Sequence, residues 1–145
     1  MDSLNEKNTY DFAFNLAKSA KKGDIYCLIG ELGTGKTVFS KGFAKGLGID
    51  DEITSPTFNI VSVYDAQIPL YHFDMYRIED IEELYNIGFE EYFYGNGVCL
   101  IEWANKVEEE IPNLASWIYI EKDLTKGENF RKIEVQNVNF SNRFI

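Results

Sequence analysis

Lys36 and Thr37 close the stretch Gly30-Glu31-Leu32-Gly33-Thr34-Gly35-Lys36-Thr37. The stretch fits the phosphate-binding pattern G-x-x-x-x-G-K-[ST]. Each residue type has a physical task in that chemistry. Gly30, Gly33 and Gly35 lack a Cβ, so the backbone can bend tightly and approach a phosphate closely. The loop N–H groups and a following helix N-terminus offer partial positive charge to an anion. Lys36 adds a full charge at the β- and γ-phosphates, and Thr37 offers a hydroxyl to Mg²⁺. A chance glycine-rich turn would explain the glycines but not Gly-Lys-Thr at a helix start.

Hydrolysis also needs an acidic group near the metal and something to orient water. Leu70-Tyr71-His72-Phe73 and Val98-Cys99-Leu100-Ile101 are apolar stretches that end in Asp74 and Glu102. In an open α/β sheet the carboxyl ends of strands are where ligands gather. Glu102 follows the more uniformly apolar run and is the better metal-site candidate. Asp74 is a candidate to position water, to hold the metal through water, or to report the γ-phosphate. The plainer alternative for both is a strand-end carboxylate that pairs an Arg or caps a helix. Ser55-Pro56-Thr57 lies where phosphate-binding enzymes often place a γ-phosphate-sensing loop, and it also reads as an ordinary strand entry. Asn105-Lys106-Val107-Glu108 resembles a guanine-reading pattern but ends in Glu rather than Asp, and it equally begins a helix.

These residues need elements to hold them. Asp24 to Ile29 reads as a buried strand before the loop, and Val38 to Leu47 as the helix after it, broken by Gly46 and Gly48. Asn8 to Lys22 repeats apolar residues at helical spacing, with Asn8 or Thr9 as cap and Gly23 as stop. Phe58–Tyr64 and Leu70–Asp74 read as a hairpin. Short helices are expected over Ile78–Asn86, with Asp80 as cap, over Phe89–Tyr94, and over Ala104–Glu110. Trp117–Glu121 and Arg131–Val135 alternate as an antiparallel pair. Strands interleaved with helices predict an α/β, three-layer sandwich in one domain over residues 1–145, with a mixed, largely parallel central sheet.

Composition narrows the function. At 145 residues and 45% hydrophobic content the chain can bury a real core. No apolar run approaches the ~20 residues of a membrane span. The N-terminus lacks a basic region followed by an apolar one, so no signal peptide is read there, and a cytoplasmic protein is expected. Cys27 and Cys99 fall in apolar strands and read as buried small hydrophobes, with no zinc-site spacing to His72. The net charge of -10 argues against gripping a nucleic-acid backbone. Lys18, Lys21, Lys22, Lys41 and Lys45 read as solvated helix faces, and the acidic balance suits a partner with a basic patch.

The phosphate loop, Ser55-Pro56-Thr57-Phe58, Tyr71-His72-Phe73-Asp74-Met75-Tyr76-Arg77 and Ile101-Glu102-Trp103 occur in this order. Together they resemble the TsaE (YjeE) family of small bacterial P-loop ATPases, over about Glu6 to Arg131. The resemblance implies a Mg²⁺-dependent ATPase of threonylcarbamoyladenosine biosynthesis, the modification beside the tRNA anticodon. It implies action with a TsaB–TsaD pair, which carries the transferase site, and contact with tRNA only through that complex. It also implies roles: Thr37 and Glu102 at magnesium; Leu32, Gly33, Thr34, Gly35, Lys36 and Thr37 around the nucleotide; Lys36, Asp74 and Glu102 in catalysis. Ser55-Pro56-Thr57 and Asp74 match mobile loops needed for hydrolysis, while Glu6 and Gly127 match positions flanking the base. Thr34 stands where many relatives have Ala, and Ala104 where many have Pro; neither replacement removes a needed group. Two other classes compete, a nucleotide-gated binding protein with incidental hydrolysis and a small-molecule kinase. The kinase fits less well, for want of an Arg-rich lid.

Overall fold

The computed structural model describes residues 1–31, 33–54 and 59–137. Its seven strands are β1 (Asp2–Ser3), β2 (Ile25–Ile29), β3 (Val61–Tyr64), β4 (Leu70–Asp74), β5 (Val98–Glu102), β6 (Ser116–Lys122) and β7 (Arg131–Asn137). They form one sheet in the order β1-β7-β6-β2-β5-β4-β3. The inner strands β6, β2, β5 and β4 pair in parallel. The hairpin β3–β4, the pair β6–β7 and the short edge strand β1 are antiparallel. The sheet is therefore mixed, as the sequence predicts, with a parallel centre and antiparallel edges.

The centre follows from side-chain chemistry. β2 and β5 are almost wholly buried on both faces, as parallel strands covered by helices must be. Their even and odd positions feed two separate cores. Tyr26, Leu28, Leu70, Leu100 and Ile118 face α1 (Glu6–Lys18) and α2 (Lys36–Gly46). Cys27, Phe73, Cys99 and Ile101 face α3 (Ile81–Asn86), α4 (Phe89–Phe93) and a 3-10 helix over Ala104–Glu110. This is the three-layer arrangement. Burial raises both thiols, Cys99 to about 12, so they serve as packing groups. Among the described residues no helix is long and apolar enough to cross a membrane.

Several boundaries differ from expectation for identifiable reasons. Helix α1 starts at Glu6 because Asn5, not Asn8 or Thr9, is its cap: the Asn5 side chain accepts the Asn8 N–H at 2.8 Å. Asn8 answers by accepting the Leu4 N–H at 3.0 Å. The helix stops at Lys18, with Ser19 as C-cap, before it reaches Gly23. Asp80 does cap α3, in a reciprocal box with Glu83. The expected start of β3 at Phe58 lies outside the described residues.

Gly46 does not simply end α2. Together with Gly42 it lets the backbones of α1 and α2 touch. A Cβ at Gly42 would lie 2.3 Å from the Tyr10 carbonyl oxygen, and one at Gly46 2.3 Å from that of Phe14. This contact fixes the helix that begins with Lys36. Gly42→Ala is expected to destabilise the protein, because a backbone oxygen cannot rotate away as a side chain can. Overpacking of about 1–3 kcal/mol, toward its upper end here, outweighs the ~1 kcal/mol that Ala gains over Gly in a helix. A lowered urea midpoint at constant m-value is the expected result, and an unchanged or raised midpoint would contradict the close helix contact.

Candidate functional site

The loop after β2 turns through two left-handed glycines, Gly33 at φ 81 and Gly35 at φ 101. Only glycine takes those conformations without strain. Helix α2 then starts at Lys36, and its N-cap Gly35 has no side chain to cap the first N–H groups. They are left to an anion, as helix N-termini at phosphate sites are. Gly30 is required for a second reason. Its Cβ would lie 2.6 Å from Thr34 Oγ1 and 3.0 Å from the Ile120 carbonyl. Thr34 in turn donates its hydroxyl to the Glu31 carbonyl at 2.8 Å, so Thr34 braces the loop. Leu32 lies outside the described residues.

Lys36 is the electrostatic centre of the site. Only 7% of its surface is exposed, and its Nζ has no hydrogen-bond partner among the described residues. The ammonium lies 4.0 Å from the centroid of the Trp103 ring, a cation–π contact. Burial lowers its pKa, while the charges of Glu102 and then Asp74 raise it. Buried, unpartnered positive charge is costly, and an anion relieves that cost.

The carboxylates reach this charge by strand register. β4 and β5 pair in parallel with Asp74 beside Glu102, so both side chains leave the sheet on the α2 face, toward Lys36. Asp74 is half-buried and its Oδ1 accepts the Tyr76 N–H at 2.9 Å. Burial raises the Asp74 pKa; the Tyr76 N–H, His72 and Lys36 oppose that shift and Glu102 adds to it. Glu102 is 4% exposed, and its Oε2 is 2.7 Å from His72 Nε2. Thr37 is exposed in the first turn of α2. Lys36, Asp74 and Glu102 are thus brought within electrostatic reach of one another. Ser55, Pro56 and Thr57 lie outside the described residues.

Two cavities flank the loop. One, of about 90 Å³, is lined by Glu6, Thr9, Gly35, Val38, Asn129 and Arg131 among others. It joins the predicted Glu6 position to the phosphate loop. The β6–β7 turn reaches this cleft through Asn129, while Gly127, at φ 108, shapes the turn. The other, of about 510 Å³, opens between Glu31, Thr34, Trp103, Asn105 and Lys122. In the guanine-like stretch, Val107 is buried in the core and Lys106 Nζ donates to the Tyr76 carbonyl.

Three further residues take up roles at the site; Trp103, next to Glu102, is legible there from the sequence, whereas Arg131 is not. Arg131 donates from Nε to the Thr34 carbonyl at 2.9 Å and from Nη2 to that of Gly33 at 3.3 Å. Its Nη1 is held by the Glu128 and Phe130 carbonyls. The guanidinium therefore ties the C-terminal hairpin to the phosphate loop. Trp103 has φ 58, the one non-glycine residue with positive φ among those described. For a bulky side chain this costs about 1–3 kcal/mol. The bend lays the indole against Tyr76, with centroids 4.9 Å apart, and under Lys36. His72 is the third, and the alternation His72, Asp74 along one strand is the one sequence signal that could have placed it near the site.

A family model described as "Threonylcarbamoyl adenosine biosynthesis protein TsaE" matches residues 3–133. The tRNA threonylcarbamoyladenosine biosynthesis protein TsaE of Bacillus subtilis (strain 168) is 46% identical over 132 residues, 90% of this chain and 80% of the relative. The protein of that name from Rickettsia typhi is 40% identical over 144 residues, 97% of this chain and 96% of the relative. The crystal structure of Bacillus subtilis YdiB superposes with a TM-score of 0.78 at 40% identity, covering 99% of this chain and 86% of that one.

The raised Asp74 pKa has a sign that thermal unfolding can read. The folded state holds the Asp74 proton more tightly than the unfolded chain does. Its stabilising contribution is therefore full below the unfolded value of about 3.9 and is lost as pH rises through the folded value. Asn in its place keeps an acceptor for Tyr76 and removes the charge. Asp74→Asn is expected to raise the melting temperature at pH 7 and to leave it nearly unchanged near pH 3. A lower melting temperature at pH 7 would mean that the Asp74 charge is net stabilising.

Proposed function

The chain belongs to the TsaE family of threonylcarbamoyladenosine biosynthesis proteins, and on that premise we propose that it is a Mg²⁺-dependent ATPase of this pathway. The observation that carries the reading is the buried Lys36 ammonium, without a hydrogen-bond partner among the described residues, at a complete phosphate loop and facing two strand-end carboxylates.

The residues fit a magnesium nucleotide. Among the described residues no three His, Cys, Asp or Glu side chains gather to hold an ion. That suits Mg²⁺, which takes one or two protein oxygens and fills its shell with phosphate and water. Thr37 and Glu102 would hold it, and Mg²⁺ would supply charge neutralisation at the phosphates. The chain's own groups do the rest. The loop N–H groups orient the phosphates. Lys36 moves from the Trp103 face to the phosphate oxygens, where its charge meets the negative charge that develops as the bond breaks. Asp74, whose pKa burial raises, would orient the attacking water. Glu6 and the Gly127 turn border the cleft for the base, and we expect ATP to be preferred over GTP.

The proposed partner is a TsaB–TsaD heterodimer, with tRNA contacted only through that complex, in the cytoplasm. Two features support dependence on a partner. Arg77, just after Asp74, is the nearest finger candidate and equally a structural ion-pair partner, while the Arg131 guanidinium is committed to backbone carbonyls. The net charge of -10 favours a basic surface.

Phosphate release separates the roles. Lys36→Ala is expected to abolish turnover in a folded protein. Glu102→Gln is expected to reduce Mg²⁺-dependent turnover far more than nucleotide binding, because size is kept and only the anion goes. Full activity of folded Lys36→Ala would refute the ATPase assignment. Adding the TsaB–TsaD pair to the wild-type chain should accelerate release by orders of magnitude, and complex formation should weaken as salt rises. Fast hydrolysis by the lone chain, unaltered by the pair, would leave a free-standing ATPase.

A further inference from the structure

We propose that His72 is a positioning residue that aims Glu102 at the metal. The inference rests on the magnesium reading above and assigns a role to a residue outside the phosphate loop.

His72 and Glu102 are thirty residues apart in sequence and meet through the sheet. His72 is opposite Leu100 and Asp74 opposite Glu102 in the parallel β4–β5 register. His72 thus stands one pleat before Asp74 on the same face, and its ring spans diagonally to the Glu102 carboxylate. Both side chains are buried, at 1% and 5% exposure. The 2.7 Å contact runs from Nε2 to Oε2. Since a carboxylate accepts, Nε2–H is the donor. His72 Nδ1 has no hydrogen-bond partner among the described residues, so the ring's one hydrogen bond there goes to Glu102.

Glu102 needs such a partner. A buried carboxylate without hydrogen bonds is costly, and the Lys36 ammonium makes no hydrogen bond to it. Among the described residues His72 is the one hydrogen-bond donor to the Glu102 side chain. The Glu102 backbone is already fixed, since its carbonyl accepts the Met75 N–H at 3.0 Å. What remains free is the side-chain torsions. Pinning Oε2 to a ring that is itself locked in the core removes that freedom and leaves Oε1 for a cation. Partners behind a metal ligand typically change affinity by about 10–100-fold.

Geometry supplies a test that packing alone does not mimic. A Gln amide nitrogen reaches about as far from the backbone as Nε2 and also donates. An Asn amide is one methylene shorter and cannot reach Glu102. The measurement is Mn²⁺ binding in the presence of ADP, read from the electron-paramagnetic signal of free Mn²⁺, for wild type, His72→Leu, His72→Gln and His72→Asn. His72→Leu and His72→Asn are expected to weaken Mn²⁺ at least about tenfold. ADP affinity in EDTA should not change, and His72→Gln should restore most of the loss. In a Glu102→Gln background, His72→Leu should add nothing further. If Leu disrupts folding, the Gln and Asn variants decide the matter. Unchanged Mn²⁺ affinity in folded His72→Asn, or equal weakening by Gln and Asn, overturns the positioning role while the magnesium reading stands. Wild-type protein that binds no Mn²⁺ with ADP overturns both.

Discussion

The buried ammonium of Lys36 is the constraint around which the site is built. A charge with 7% exposure and no hydrogen-bond partner among the described residues persists because other groups offset its desolvation. The Trp103 face does so at contact distance, and Glu102 and Asp74 do so through space. None of these groups satisfies the ammonium as phosphate oxygens would. The strained backbone at Trp103 fits the same account, because the φ that bends the chain there is what brings the indole under Lys36. Strain of this kind persists where the surroundings over-determine it. Here Tyr76 packs against the ring, and Ala104, the next residue, is fully buried.

The rest of the fold delivers groups to that charge. Parallel pairing of β2, β5 and β4 puts the phosphate loop, Glu102 and Asp74 together at the C-terminal ends of the central strands. Alternation along β4 and β5 then sends His72, Asp74 and Glu102 to the face that carries α2. The contact of α1 with Gly42 and Gly46 sets the position of α2, and Arg131 fastens the phosphate loop to the far hairpin. Helix, strands and hairpin therefore converge on one loop from three directions. The proposed hydrolysis draws on this preorganisation, since groups already oriented need no reorganisation as charge develops.

Much of this was legible in the sequence because it is local. The phosphate loop is contiguous, the buried strands are unbroken apolar runs, and Asp74 and Glu102 each end such a run. Asp80 with Glu83 is a short-range cap signature. What was not legible depends on register or on distance along the chain. The pairing of His72 with Glu102 requires knowing that β4 and β5 are parallel neighbours aligned at Asp74. The grip of Arg131 on Thr34 spans 97 positions and leaves no periodic trace. Gly46 was read as a helix breaker, whereas its reason for being glycine is the approach of Phe14. Asn5 and Asn8 are equally good caps by type, and only their reciprocal hydrogen bonds decide between them. The two-residue edge strand β1 is too short to carry a pattern.

The central claim is that nucleotide phosphate draws Lys36 from the Trp103 ring. Trp103 and Trp117 are the two tryptophans, so a Trp117→Phe protein reports on Trp103 alone. The decisive measurement is its emission during titration with ATP and Mg²⁺, alongside calorimetric binding on the same samples. A saturable change in Trp103 emission with the same midpoint as the calorimetric isotherm is the predicted result. Saturable binding with Trp103 emission unaltered would contradict the account, because the lysine would then not have left the ring.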